Sequence, residues 1–320
     1  MLRFAIITLL TLKAVFAAES SPLSPFARTE VTTNRDFRIQ FSSAFSFATL
    51  ERSTDFSAWE PLVTVQRSAS SEHVDTGAPF HAQSFYRAAI HETNVLTGDH
   101  LATEQGSLLI HPINHASFVL SWNGLTIYND PVRGAAPYAG LPRADLILVS
   151  HEHGDHFDSG TLNAVRRTDA TNTIIIAPRN VYNGLSTALK ALTIILTNGA
   201  GTNLLGLSVE AVPAYNGNHP KGTGNGYLLS AGSKRLYISG DTGDIPETRA
   251  LKHIDVAFLC MNVPFTMTVP QAANVVREFA PRVVYPYHYR NSDSTLADLN
   301  LFRRLAGSDK NIEVRQRAWY

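Results

Sequence analysis

The stretch SHEHGDHFD, Ser150 to Asp158, carries His151, His153, Asp155 and His156 within six residues and follows directly on the apolar run DLILVS (145 to 150). The run predicts a buried strand, and the polar stretch then lies on a loop at its C-terminal end, leading into the helical pattern DSGTLNAVRR (158 to 167). Imidazoles two apart on extended backbone point to the same side. His151 and His153 can therefore share one ion, while Asp155 and His156, beyond Gly154, turn toward a second. Imidazole is the commonest protein metal ligand, so four candidate ligands on one strand-end loop predict a metal centre.

Outward from this segment, strand and helix patterns alternate from about residue 107 to the end. Strands are predicted at SLLIHPI (107 to 113), ASFVLSW (116 to 122), LTIYND (125 to 130), NTIIIAP (172 to 178), LTIILT (192 to 197), LSVEAVPA (207 to 214), GYLLSA (226 to 231), KRLYISG (234 to 240), DVAFLC (255 to 260) and RVVYPY (282 to 287). Helical patterns fit NVYNGLSTALKAL (180 to 192), PQAANVVREFA (270 to 280) and STLADLNLFRRLAG (294 to 307). Two similar halves of this kind argue for an α/β layered domain over residues 105 to 320, sheets inside and helices outside.

Before it, FRIQF (37 to 41), FSFATLERS (45 to 53), PLVTVQRS (61 to 68) and SFYRAAI (84 to 90) predict a small all-β module over residues 30 to 92. The polar stretch HETNVLTGDHLATEQGS (91 to 107) is read as the boundary. The fragment ERSTDFSAWEPL (51 to 62), followed by FYRA (85 to 88), resembles small β-sandwich modules of secreted bacterial proteins, with a spacer or packing role expected. At the N-terminus, Arg3, the apolar FAIITLLTL (4 to 12) and the small-residue pattern AVFAA (14 to 18) read as a signal peptide over residues 1 to 18, cleaved near Ala17 or Ala18. That run is too short to span a bilayer, so a soluble periplasmic or extracellular protein is expected.

Charges balance, 27 Lys+Arg against 27 Asp+Glu, so no excess of either sign recruits nucleic acid or anionic lipid. A single cysteine, Cys260, excludes a disulfide scaffold and a Cys-rich zinc site, and its apolar run VAFLC predicts a buried thiol.

With H-x-H-x-D-H following a predicted buried strand, the chain resembles the metallo-β-lactamase superfamily over about residues 107 to 318. The resemblance implies an αββα four-layer sandwich. Asp130, ending LTIYND, matches the early structural aspartate that holds the histidine loop; Asp241 in SGDTGD (239 to 244) matches a metal-bridging aspartate; His288 in YPYHY (285 to 289) matches the final ligand. One element departs from the pattern. After LSVEAVPA the superfamily places a histidine almost at once, whereas here Tyr215, Asn216, Gly217 and Asn218 precede His219. Either the Gly-rich NHPKGTGNG (218 to 226) bends to carry His219 back, which is the favoured expectation, or the first ion lacks a ligand.

The implied arrangement has His151, His153 and His219 on one ion, Asp155, His156 and His288 on a second, and Asp241 between them. Nitrogen and carboxylate donors suit Zn2+, with Mn2+ or Fe as alternatives. A divalent ion lowers the pKa of bound water from about 15.7 to near 7, so the expected function is hydrolysis of an ester, lactone or phosphodiester bond of a small molecule by a hydroxide at the metal, with Asp155 orienting the water. GDTGDIPE (240 to 247) and YPYHY resemble the branch of ascorbate-phosphate lactonases and related phosphodiesterases more than the antibiotic-degrading branch. INHASF (113 to 118) resembles a motif that sets a histidine beside the metal pocket, which makes His115 a supporting or substrate-contacting candidate. Lys221, Tyr289 and Arg290 flank ligand positions and are candidates to meet an anionic group, or solvated surface residues. An iron-dependent oxidoreductase of the same fold and a non-catalytic metal-binding secreted protein are the rival readings.

Overall fold

A computed structural model describes residues 6–9, 25–33, 35–42, 45–66, 72–91, 95–104, 106–169, 173–307 and 311–320. The chain divides into two compact units, Met1–His111 and Pro112–Tyr320.

In the first unit, one strand alternates between core and solvent with the period of two that a pleated sheet imposes. Along Phe37–Phe41, Phe37, Ile39 and Phe41 are buried while Arg38 and Gln40 are exposed. That strand pairs with Phe26–Val31 and Glu72–Asp75 in a three-stranded sheet. Its buried face meets Leu50, Leu62 and Tyr86, which come from the strands Phe47–Ser53, Glu60–Gln66 and Ser84–His91 of a second sheet. The Phe37 and Tyr86 rings stack at 4.5 Å. Of the segment read as an export signal, residues 6–9 are described, as a strand antiparallel to Ser84–Arg87, and the predicted cleavage positions lie outside the described residues. The polar stretch read as a boundary contains a strand, Gly98–Thr103, paired with Gly106–Ile110. Apolar alternation is missing there because its polar groups bond across the sheet: His100 lies 2.7 Å from the hydroxyls of both Thr64 and Ser107.

The second unit has two sheets flanked by helices, the αββα arrangement. Its first sheet runs Ser117–Trp122, Leu125–Asn129, Leu146–Leu148, Ile174–Ala177 and Thr193–Ile195, parallel from Leu125 onward. The second runs Gly201–Leu204, Leu207–Ala214, Gly224–Ala231 and Lys234–Ile238 as antiparallel hairpins, then Val256–Cys260, Val283–Tyr287 and Glu313–Val314 in parallel. Phe118 turns inward to stack on Phe258 of the other sheet at 4.4 Å, and its neighbour Val119 turns outward to pack with Leu162 and Val165 of the helix Ser159–Val165. The helix Val269–Phe279, closed at its start by a Thr268–Gln271 capping box, covers the second sheet, with Phe279 edge-on to Tyr237.

Two helical expectations change. The pattern over 180 to 192 breaks into Arg179–Gly184 and Thr187–Lys190, because Leu185 is extended and the Ser186 hydroxyl caps a new start. The last helix spans Leu299–Gly307: Asp293 instead accepts the Thr295 backbone N–H in a turn, and Asp298 caps Leu301. No helix among the described residues is long and apolar enough to cross a membrane.

Candidate metal centre

The parallel strands of both sheets end on one edge, and most of the site residues stand on the loops that leave it. Asp130 follows Leu125–Asn129, the histidine loop follows Leu146–Leu148, Asp241 follows Lys234–Ile238, and His288 follows Val283–Tyr287. Gly240 makes the turn before Asp241 possible: its φ is +57°, and a Cβ there would lie 2.6 Å from the Asn225 carbonyl oxygen. Asp130, His115 and His288 are themselves left-handed, with φ of 42°, 56° and 48°, a conformation that Asp and His tolerate better than most residues.

Asp130 is fully buried. Its Oδ1 accepts the Ser150 backbone N–H at 2.7 Å, and its Oδ2 accepts the Ser150 hydroxyl and the His156 Nδ1–H, both at 2.8 Å. The carboxylate thus ties the start of the histidine loop to its last imidazole and turns His156 Nε2 inward. That nitrogen lies 3.0 Å from His288 Nε2, 3.3 Å from Asp241 Oδ1 and 3.7 Å from Asp155 Oδ2. His288 Nε2 is in turn 3.4 Å from Asp241 and 3.5 Å from Asp155.

The loop after Leu207–Ala214 does carry His219 back. Asn216 folds it: its Oδ1 accepts the backbone N–H of Asn218 and of His219, and its amide nitrogen reaches the Asp241 carbonyl at 3.0 Å and His219 Nδ1 at 2.8 Å. His219 Nε2 then lies 2.9 Å from His153 Nδ1, and its ring is 4.5 Å from that of His151. Nothing in the sequence marks Asn216 for this task apart from its place in a loop that has to turn.

Three groups of donors therefore converge, each within 4.8 Å of one another: His151, His153 and His219; His151, His156 and Asp241; and His115, Asp155 and His288. Burial and neighbouring charge shift the protonation of several of these donors. Burial holds His151 well below the ordinary imidazole pKa and lowers that of His219. Burial opposes the charge on Asp241, yet His288 and His156 outweigh it and hold the carboxyl well below its usual range. Burial likewise works against the His156 cation, but Asp241 and Asp130 raise its pKa well above the usual value, so a metal must displace a proton there. Without an ion the cluster is under-satisfied: His151 Nε2, Asp241 Oδ1 and His288 Nδ1 are buried with no hydrogen-bond partner. Such groups are costly unless something fills the space between them. A divalent ion fits two of the three, His151 Nε2 and Asp241 Oδ1, in its donor chemistry.

His115 stands at the rim. Its Nε2–H donates to Asp155 Oδ2 at 3.0 Å, and its Nδ1 accepts the Tyr320 hydroxyl at 2.7 Å. Tyr320 was not legible as a site residue, since it stands 205 positions from its partner. Asp155 is half-exposed and lines a cleft of about 460 Å³ with His115, His153, His219, Asp241 and Arg290. Of the other flanking candidates, Lys221 is ion-paired with Glu247, and Tyr289 is buried with its hydroxyl on the Arg317 carbonyl.

Residues 109–288 match the beta-lactamase superfamily domain. The chain belongs to the metallo-β-lactamase superfamily. Within the superfamily it is similar to a UPF0173 metal-dependent hydrolase of Thermococcus kodakarensis, 32% identical over 216 residues that make up 64% of this chain and 94% of the relative. Among solved structures it is similar to a protein of Parabacteroides distasonis described as a metal-dependent hydrolase, 39% identical with a TM-score of 0.61 over 70% of this chain and 99% of that one. It is also similar to Igni18, a metallo hydrolase of Ignicoccus hospitalis, 25% identical with a TM-score of 0.57 over 66% of this chain and 94% of that one.

Proposed function

We propose that this metal-dependent hydrolase of the superfamily cleaves an ester, lactone or phosphodiester bond of a small molecule, with zinc as its ion, two per chain, and acts outside the cytoplasm. The convergence of three donor groups on a half-open cleft carries the reading. His151, His153 and His219 would hold one ion and Asp155, His156 and His288 the other, with Asp241 between them. A divalent ion so held supplies Lewis acidity toward a carbonyl or phosphoryl oxygen and brings the pKa of coordinated water to about 7. The nitrogen-rich donor set with two carboxylates favours zinc.

The chain's own residues do the rest. Partial burial opposes ionisation of Asp155, but hydrogen bonds from His115 and His288 outweigh it and hold the carboxyl well below its usual range. An ionised carboxylate on the cleft wall can accept the proton of an attacking water, and the His115 Nε2–H fixes its orientation. Export is supported by Arg3, the apolar run after it and the small residues up to Ala18.

The test is turnover of an aryl ester, a lactone and a phosphodiester by metal-loaded protein, with metal content per chain measured alongside. At least one substrate is expected to turn over, with activity falling about 100-fold or more in Asp155→Ala. Near-normal turnover in that variant, or no metal uptake, would overturn the reading. N-terminal sequencing of protein recovered from the cell envelope should begin just after Ala17 or Ala18, and an intact Met1 would count against export.

A further inference from the structure

We propose that the substrate carries an anionic oxygen group, phosphate or carboxylate, and that Arg290 is the residue that binds it beside the metal centre. The proposal rests on the hydrolase reading above and names its substrate class.

Arg290 is exposed on the cleft that Asp155 and His115 also line. Of the three residues flanking the ligand positions, it alone remains available: Lys221 is committed to Glu247, and Tyr289 is buried against the Arg317 carbonyl. No carboxylate pairs with the Arg290 guanidinium among the described residues. It lies instead 4.2 Å from the centre of the Tyr320 ring, an arrangement that restrains the side chain while leaving its N–H edges for a ligand.

That support is joined to the reacting end of the cleft by a continuous chain of hydrogen bonds. The Arg290 backbone N–H donates to the Tyr320 hydroxyl at 3.2 Å, the hydroxyl donates to His115, and His115 donates to Asp155. The Tyr320 that the guanidinium lies against is thus the same residue that is linked through His115 to Asp155. The loop of Asn262 and Phe265 lines the same cleft. The Asn262 Oδ1 accepts the Thr266 hydroxyl at 2.6 Å, which fixes the amide, and its Nδ2 has no partner among the described residues. Asn291 then fastens this loop to that of Arg290, its Oδ1 accepting the Val263 N–H and its Nδ2 donating to Thr295. Phe265, 40% exposed, offers an apolar surface to the organic part of a substrate. An arginine fork by itself matches two oxygens of one anionic group, and pre-organisation lowers the ordering cost of binding it.

The experiment titrates metal-loaded protein calorimetrically with inorganic phosphate and, separately, with acetate. Wild type, Arg290→Met and Arg290→Lys are compared, with metal content and thermal midpoint measured on each. Arg290→Met is expected to weaken at least one anion about 10-fold or more at unchanged metal content. Arg290→Lys should fall between, keeping the charge and losing the fork. Weakening of phosphate alone identifies a phosphate ester, of acetate alone a carboxylate, and of both a site for either. Unchanged affinity for both anions with normal metal content overturns the proposal. A chain that takes up no metal overturns the hydrolase reading, while the dependence on Arg290 is still decided by the same titrations.

Discussion

Replacing Asp130 by Asn is expected to weaken metal binding about 10- to 100-fold, the range found when a residue behind a metal ligand is lost, without unfolding the chain. The carboxylate serves three donors: the Ser150 N–H, the Ser150 hydroxyl and His156 Nδ1–H. Donation from Nδ1 leaves Nε2, the nitrogen that faces His288 and Asp241, as the one that gives up its proton to a metal. An asparagine has one acceptor oxygen. If that oxygen stays on the Ser150 N–H, the amide NH2 faces His156, whose Nδ1 must accept, and the proton moves to Nε2 where a metal would bind. If the amide reverses, the buried Ser150 N–H loses its acceptor. Either outcome costs about 1.5–3 kcal/mol, which matches the expected loss of affinity. Asparagine tolerates the positive φ of this position, so the backbone is undisturbed, whereas alanine would add strain. Competition against a chromophoric zinc chelator measures the affinity, and circular dichroism checks the fold. Wild-type affinity in a folded Asp130→Asn protein would refute the claim that Asp130 sets the His156 tautomer.

Chelation should lower the thermal midpoint, because an ion bound only by the folded state stabilises it by about 4 kcal/mol at a thousand times its dissociation constant; an unchanged midpoint after verified metal removal would contradict a buried centre. In the first unit, Asp75→Ala strips the partner that accepts Arg52 Nη1 at 2.9 and 3.0 Å and the Tyr86 hydroxyl at 2.9 Å. The buried guanidinium then keeps the partly exposed Glu60 at 2.9 Å but loses its buried partner, which together with the stranded Tyr86 hydroxyl should cost about 3 kcal/mol in urea unfolding, and a loss below about 1 kcal/mol, the worth of an exposed pair, would show that the pair is not truly buried. Burial pushes the Cys260 thiol up to about 12, so the thiolate is scarce at pH 8 and the native protein should resist alkylation until denatured; rapid labelling of folded protein would contradict this.

Much of the second unit was legible because its central strands are apolar throughout, as parallel strands covered on both faces must be. DLILVS, DVAFLC and RVVYPY all became strands, and the loop after the first holds four candidate ligands within six residues. The boundary of the first unit was hidden for the opposite reason: Gly98–Thr103 satisfies polar side chains across the sheet and shows no apolar period. The helix expected over 180 to 192 failed at Leu185, where a cap at Ser186 outweighed an unbroken helical pattern.

Sequence by itself determined what depends on near neighbours: that His151, His153, Asp155 and His156 share a loop at a strand end, and that Asp130, Asp241 and His288 each follow a strand. Only the tertiary structure decided what depends on distant chain meeting in space. His156 and His288 are 132 residues apart, and His115 and Tyr320 are 205 apart, so their contacts are set by how two sheets stack and where their edges align. The same holds for His219, whose return depends on Asn216 bonding to the Asp241 carbonyl 25 residues away. Local spacing names the donors, but the packing of the sheets sets the distances between them.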